Sequence, residues 1–180
     1  MPSNNSKPKI LWLIGRPCSG KSTLAGRLKS AWIREGRRTI LLDGDGFRRM
    51  LSSDLGFTLR DRMENLRRAT VAAKRLTQQG CSVIAAFVTP THAAQRLVKR
   101  LLPNAKFCYL SAPLASCEAR DAKGMYRKAR QKKLAHFTGI TSPFEAPRKP
   151  DLVIDTAGNN IRESFKQLLA FSRLHLSYSR

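Results

Sequence analysis

The sequence predicts a three-layer α/β domain: a parallel sheet of about five strands with helices on both faces. Three observations predict it. Short apolar runs alternate with helix-period segments along the whole chain, the first run ends in a glycine-rich turn that opens a helix, and 180 residues with 42% hydrophobic content fit one core. Ligands of such sheets bind beyond the carboxyl ends of the strands, so candidate functional residues are sought there.

Residues 1–8 (MPSNNSKP) lack an apolar stretch and are expected to form a disordered tail, leaving residues 9–180 as a single domain. Ile10-Leu11-Trp12-Leu13-Ile14 is the first strand. Residues 21–35 repeat Leu24, Leu28 and Ala31 on one helical face and stop at Gly36. Residues 39–42 form a short buried strand, and residues 61–79 a long helix with Leu66, Ala69, Ala73 and Leu76 on its apolar side, ended by Gly80. Residues 82–88 are the next strand, 91–102 a helix after Pro90, 106–110 a strand, and 113–120 a helix with proline in its first turn. Residues 124–133 are basic and helix-compatible. Gly124 and the prolines of 143–150 mark the region of about 120–150 as a mobile insertion, a lid outside the core. Residues 152–154 supply the last strand and 161–171 the closing helix.

The first turn, Gly15-Arg16-Pro17-Cys18-Ser19-Gly20-Lys21-Ser22, spells G-x-x-x-x-G-K-S between a strand and a helix, the phosphate-binding loop of P-loop NTPases. Glycines let backbone N–H groups close around phosphate oxygens at a helix N-terminus. Residues Gly15, Arg16, Pro17, Cys18, Ser19, Gly20, Lys21, Ser22 and Thr23 are therefore the expected ATP-binding set, with Lys21 reaching the β- and γ-phosphates and Ser22 ligating Mg²⁺. Beyond the second strand, Leu42-Asp43-Gly44-Asp45-Gly46 offers two carboxylates, one suited to Mg²⁺ through water and one to the proton of an attacking hydroxyl, although Asp-Gly is also good turn chemistry. Cys18, inside the loop at a helix N-terminus, is expected to have a lowered thiol pKa. Cys81, Cys108 and Cys117 show no metal or disulfide spacing, and His92, His136 and His175 no ligand spacing.

The net charge is +22. Such a surface attracts anions in a salt-dependent way without saying which. No zinc finger, RNP-type aromatic motif or basic heptad accompanies it, so nucleic acid is not expected as a specific partner. No apolar run spans a bilayer and no signal peptide opens the chain; the expected location is cytoplasmic, with no membrane contact.

Further blocks carry a resemblance. Leu42-Asp43-Gly44-Asp45, Asp54-Leu55-Gly56-Phe57, Asp61-Arg62, Glu64-Asn65-Leu66-Arg67-Arg68, Arg120-Asp121-Ala122-Lys123-Gly124-Met125-Tyr126, Phe137-Thr138-Gly139-Ile140 and Ser142-Pro143-Phe144-Glu145-Ala146-Pro147 resemble the adenylylsulfate kinases (APS kinases), from the phosphate loop to about Asp155. The resemblance implies transfer of the γ-phosphoryl of ATP, with Mg²⁺, to the 3′-hydroxyl of adenosine 5′-phosphosulfate. It implies Lys21, Asp43 and Asp45 as the catalytic set, with Asp45 on the 3′-hydroxyl and Asp43 with Ser22 at the metal. It implies Phe57 and Phe137 around the acceptor adenine, Arg48, Arg62 and Asn65 on its phosphosulfate and ribose, and Phe87, Thr89, Thr138 and Gly139 around the same pocket. Lys123 and the basic segment after it would close as the lid. A homodimer and a possible sulfurylase partner come from the same analogy.

The sequence departs from the family pattern at four positions. Gly46 stands where the family has asparagine, and Thr91 and His92 where it has tyrosine and arginine; Thr89 replaces a serine. Two other readings remain at this point. One is a homologous kinase acting on the ribose of a different modified nucleotide. The other, prompted by the charge, is a nucleic-acid-binding or polynucleotide kinase protein.

Overall fold

In the computed structural model, which describes residues 9–176, the strand delivering the phosphate loop is the middle one of five. β1 (Ile10–Ile14) is buried along its length because β3 (Ser82–Ala86) and β4 (Lys106–Ser111) pair with it on either side, both parallel. β2 (Thr39–Asp43) and β5 (Leu152–Asp155) form the edges, giving the order β2-β3-β1-β4-β5 with every pairing parallel. The three-layer architecture matches the expectation. β2, expected as buried, is not: only Thr39 is fully covered, because an edge strand lacks the second neighbour that makes β1 and β3 continuous apolar runs. The tail expected at residues 1–8 lies outside the described residues.

The crossovers between parallel strands divide the helices between the faces. α3 (Leu59–Gln78) and α4 (His92–Leu101) cover one, where Leu66, Ala69, Ala73, Ala94 and Val98 pack on Trp12, Val83, Ala85 and Phe107. α1 (Lys21–Arg34) and α7 (Ile161–Leu176) cover the other, with Leu24, Leu28, Trp32, Leu168 and Phe171 on Leu11, Leu13, Ile84 and Leu110. α7 continues past the expected end at Phe171. Leu176 is buried, and the Arg37 guanidinium donates to its carbonyl at 2.9 Å, so the last turn is held by a cation where the helix dipole favours one.

Three local devices shape the catalytic edge of the sheet. α2 (Gly44–Leu51), absent from the sequence reading, starts where D-G-D-G suggested a turn: the Asp43 carboxylate is its N-cap and accepts from the N–H groups of Asp45 and Gly46. Thr58 and Asp61 form a capping box that sets the start of α3. β3 ends two residues early because the chain turns at Thr89, whose φ of 47 breaks the extended run.

The region expected as an insertion outside the core has a core of its own. α5 (Leu114–Ala119) and α6 (Met125–Arg130) bring Cys117, Tyr126 and Ala129 against Ala112 and Phe137. The segment that follows is tied down as well: Glu145 N–H donates to the Pro90 carbonyl at 2.8 Å, the Gln95 amide donates to the Glu145 carbonyl at 2.8 Å, and the His92 ring lies 2.9 Å from the Ala146 carbonyl. Its prolines thus shape a strap that crosses α4.

Candidate active site

The phosphate loop needs its glycines for space and for conformation. A Cβ on Gly15 would lie 2.5 Å from the Ser19 hydroxyl and 2.8 Å from the Leu110 carbonyl, and Gly20 caps α1 at φ +90. Lys21 is buried beneath the loop, where its ammonium donates to the carbonyls of Gly15 at 2.9 Å and Arg16 at 2.5 Å. Burial lowers its pKa to about 8. A cation held on loop carbonyls and short of anions is poised for the phosphates of a nucleotide.

Ser22, the first exposed residue of α1, donates its hydroxyl proton to Asp43 Oδ2 at 2.5 Å. Asp43 thereby caps α2 with one oxygen and meets the phosphate loop with the other. The two hard oxygen ligands at the cavity edge suit Mg²⁺. Among the described residues no group of three or more His, Cys, Asp or Glu could hold an ion unaided, so the remaining ligands of such an ion would be phosphate and water oxygens.

One cavity of about 1060 Å³ joins these groups to the second half of the site. Pro17, Cys18, Gly20, Lys21, Ser22 and Thr23 line its donor side, and Asp43, Asp45, Phe57, Arg62, Lys123, Phe137 and Thr138 a second side. Asp45, in the first turn of α2, is paired across the cavity with Lys123 at 2.7 Å, both side chains about three-quarters exposed. The carboxylate beside it holds the Lys123 ammonium's pKa above the ordinary lysine value.

The two candidate adenine-stacking rings differ. Phe57 is 50% exposed, and its face is covered by the guanidinium groups of Arg48 at 4.6 Å and Arg62 at 5.4 Å. Phe137 is 9% exposed and packs edge-on against Tyr126 at 4.8 Å. Arg62 donates to the carbonyls of Phe57 at 3.1 Å and His136 at 2.7 Å, so it spans the gap between α3 and the lid. Burial, then the neighbouring Arg48, lowers its pKa to about 10. Arg48 itself donates to the carbonyls of Leu55 and Gly56.

Other expected acceptor residues lie behind the cavity wall. Phe87 packs between Trp12 (centroids 5.1 Å apart) and Phe47 (5.7 Å), and Thr89 is buried with its hydroxyl accepting from the Trp12 indole at 3.0 Å. Asn65 is buried on α3 with its carbonyl oxygen unpartnered. Gly139, at φ +94, gives room to the Arg16 side chain. Arg16, rather than facing the cavity, lies over the Phe144 ring at 4.6 Å and joins the phosphate loop to the strap. The expected low thiol pKa of Cys18 is corrected: burial, then the nearby Asp121, raises it, and Lys21 compensates only in part.

The sequence reading missed a third wall. Arg27, Arg120, Thr156, Asn159, Asn160, Arg162 and Ser164 line the cavity beyond the phosphate loop. The Ser164 hydroxyl is buried there without a partner. One signal was present: Asn160 and Glu163 exchange hydrogen bonds as a helix cap, and an Asn-x-x-Glu pattern before an apolar run marks a helix start at the cavity mouth.

Comparison with known proteins adds a family. The adenylylsulphate kinase family matches residues 7–155. A protein of Marinobacter nauticus named adenylyl-sulfate kinase is 43% identical over 171 residues, covering 94% of this chain and 86% of that protein. Another of that name from Paraburkholderia xenovorans is 46% identical over 162 residues, 89% of this chain and 90% of that one. Among solved structures, the Mycobacterium tuberculosis APS kinase in complex with AMPPNP and APS superposes with a TM-score of 0.88 at 34% identity, covering 92% of this chain and 97% of that one.

Proposed function

From the premise that the chain belongs to the adenylylsulphate kinase family, and is thus an ATP-dependent kinase, we propose that its cavity moves the γ-phosphoryl of ATP to the 3′-hydroxyl of adenosine 5′-phosphosulfate. The products are 3′-phosphoadenosine 5′-phosphosulfate and ADP. The observation that carries the reading is the shared cavity that is lined by the phosphate loop on one side and by Asp45, Phe57 and Phe137 on the other.

In this reading Lys21 leaves its carbonyl partners for the donor phosphates and offsets charge on the moving phosphoryl group. Ser22 and Asp43 hold Mg²⁺, which supplies charge neutralisation at the donor oxygens. Asp45 accepts the hydrogen bond of the 3′-hydroxyl, orients it and takes its proton. To do so it exchanges its partner Lys123, whose ammonium then turns to the phosphates. Phe57 and Phe137 hold the acceptor base, and Arg62 closes the lid edge over it. Phe87, Thr89 and Asn65 act through packing that fixes Trp12, Phe47 and α3 rather than by touching the nucleotide.

Gly46 leaves open space where the family has a side chain: a Cβ there would meet nothing within 4 Å. The test is therefore comparative. ADP release with Mg-ATP is measured against adenosine 5′-phosphosulfate and a panel of other nucleotides, with product mass determined. Selective turnover of the sulfated nucleotide upholds the reading; activity only on another acceptor replaces it and makes Gly46 and His92 marks of altered specificity. The described residues include no helix long and apolar enough to cross a membrane, and a cytoplasmic location fits an ATP-consuming reaction. Self-association and docking to a sulfurylase follow only from family analogy, and sedimentation of the purified chain alone and with a sulfurylase tests both.

A further inference from the structure

Arg16 belongs to the phosphate loop, yet its backbone and its side chain serve different halves of the cavity. Its carbonyl is on the donor side, accepting from the Lys21 ammonium at 2.5 Å and from the Ser19 N–H at 3.2 Å. Its side chain turns the other way. The guanidinium lies over the Phe144 ring at 4.6 Å, and Nη1 donates to the Ala112 carbonyl, just past β4, at 3.4 Å. Nε is buried and has no hydrogen-bond partner among the described residues, so the ring and the surrounding packing hold this group more than hydrogen bonds do.

Phe144 is a fixed post. Its ring stacks on Tyr109 of β4, centroids 6.2 Å apart, and the next residue, Glu145, is bonded through its backbone to Pro90 and to the Gln95 amide. Between this post and the cavity runs a loop closed on itself. The Phe137 N–H donates to Thr141 Oγ1 at 2.8 Å, the Phe137 carbonyl accepts from the N–H groups of Thr141 and Ser142, and the Gly139 N–H donates to the Ser142 carbonyl at 2.7 Å. A segment bonded in this way shifts as a unit, and Phe137 and Thr138, which line the cavity, shift with it. The Gly139 backbone, at φ +94, lies beside the Arg16 stem: a Cβ there would be 3.8 Å from Nε and 3.9 Å from Cδ.

The residue whose carbonyl holds Lys21 is therefore also the residue whose side chain fills the space between Phe144 and the loop carrying Phe137. We infer that Arg16 is a positioning residue for the acceptor, its guanidinium holding the 137–142 loop, and through Phe137 the acceptor base, in register with the donor phosphates. The inference rests on the placing of the acceptor base at Phe137 under the function proposed above. When donor phosphates draw Lys21 off the Arg16 carbonyl, the Arg16 side chain carries the change to the 137–142 loop.

Amide hydrogen exchange and steady-state kinetics on the wild type, R16A, R16K, F144L and R16A with F144L test this. In the wild type, a non-hydrolysable ATP analogue with Mg²⁺ is expected to slow exchange of the 137–142 amides. At saturating analogue, R16A is expected to lose that protection by about fivefold or more, and R16K, whose ammonium can still sit over the ring, to keep part of it. With the acceptor that the wild type turns over, R16A and F144L are each expected to raise the acceptor KM by about fivefold or more while the ATP KM stays within about threefold. The double variant is expected to be no worse than the worse single one, because both break one contact. An ATP KM that rises as much as the acceptor KM makes Arg16 part of the donor grip and overturns the inference. So does a 137–142 loop whose exchange the analogue leaves unchanged in the wild type or slows equally in R16A, and so do losses that multiply in the double variant. A lowered melting temperature with both KM values and the protection unchanged reduces the contact to packing and overturns it too. Turnover of a different nucleotide alone replaces the adenosine 5′-phosphosulfate reading, and the exchange comparison, which needs no acceptor, still decides the role of Arg16. If R16A does not fold, R16Q against R16K makes the same comparison.

Discussion

The donor half of the cavity is built from backbone, and the acceptor half from side chains. Around the donor, glycines and a helix N-terminus set the shape and one buried lysine supplies the charge. Around the acceptor, Asp45 and Lys123 are mostly exposed, Phe57 is half exposed, and Arg48 and Arg62 hold loops together through carbonyls. A site of backbone is preformed and depends on few side chains, whereas a site of side chains on loops and a lid must be assembled on binding. Substitutions on the two sides should therefore separate catalysis, binding and stability differently.

The largest effect is expected from Lys21→Ala, which removes the buried cation under the phosphate loop. Turnover should fall by about a hundred- to a thousandfold or more, and near-normal turnover would show that the donor is held elsewhere. Asp45→Asn comes next, with turnover lowered about a hundredfold or more while the ATP dissociation constant stays within about threefold. Equal losses in both would make Asp45 a binding residue and blur the line between the halves.

The two rings sharpen the comparison within the acceptor half. Phe57→Ala should weaken acceptor binding by about 1–3 kcal/mol with little change in melting temperature, because the ring is half exposed. Phe137→Ala should weaken binding and lower the melting temperature together, since it also empties the space beside Tyr126. Identical thermal shifts for the two would mean that Phe57 is structural after all.

The smallest effect concerns protons. The Lys21 pKa is about 8 in the free protein, below the ordinary lysine value because burial disfavours the charged form. Triphosphate favours the ammonium and raises that pKa, so ATP binding takes up a proton between the free and bound values. Affinity should then decline as pH rises above about 8, by up to tenfold per pH unit. Calorimetry in buffers of different ionisation enthalpy should show the uptake near pH ~8.5 and its disappearance in Lys21→Ala. On the stability side the sign is opposite: the unfolded chain binds more protons between about pH 8 and the ordinary lysine range, so the nucleotide-free fold gains stability there as pH rises.

The same division governs what could be read from the sequence. The phosphate loop was legible because its glycines are demanded by local geometry, and local geometry is written in consecutive residues. The alternation of strands and helices was legible for the same reason. α2 was not, because Asp-Gly-Asp-Gly suits a turn as well as a helix capped by Asp43, and only the hydrogen bond from Ser22 at 2.5 Å decides which oxygen does what. Thr89 and Phe87 illustrate a different limit: near the end of a central strand, a position facing the cavity and one facing Trp12 are neighbours in sequence. The wall formed by Arg27, Thr156 and Ser164 was illegible because its members come from separate elements that meet only when α7 packs on α1.

The Tyr126 hydroxyl donates to the Pro17 carbonyl at 3.0 Å, fastening α6 to the backbone of the phosphate loop. The stretch just after this fastening carries Arg127, Lys128, Arg130, Lys132 and Lys133, all exposed. Each is a cleavage point for trypsin, so the rate of a tryptic clip in the lid becomes a gauge of the state of the phosphate loop. A nucleotide that steadies Pro17 steadies α6 with it, and protects peptide bonds that it never touches.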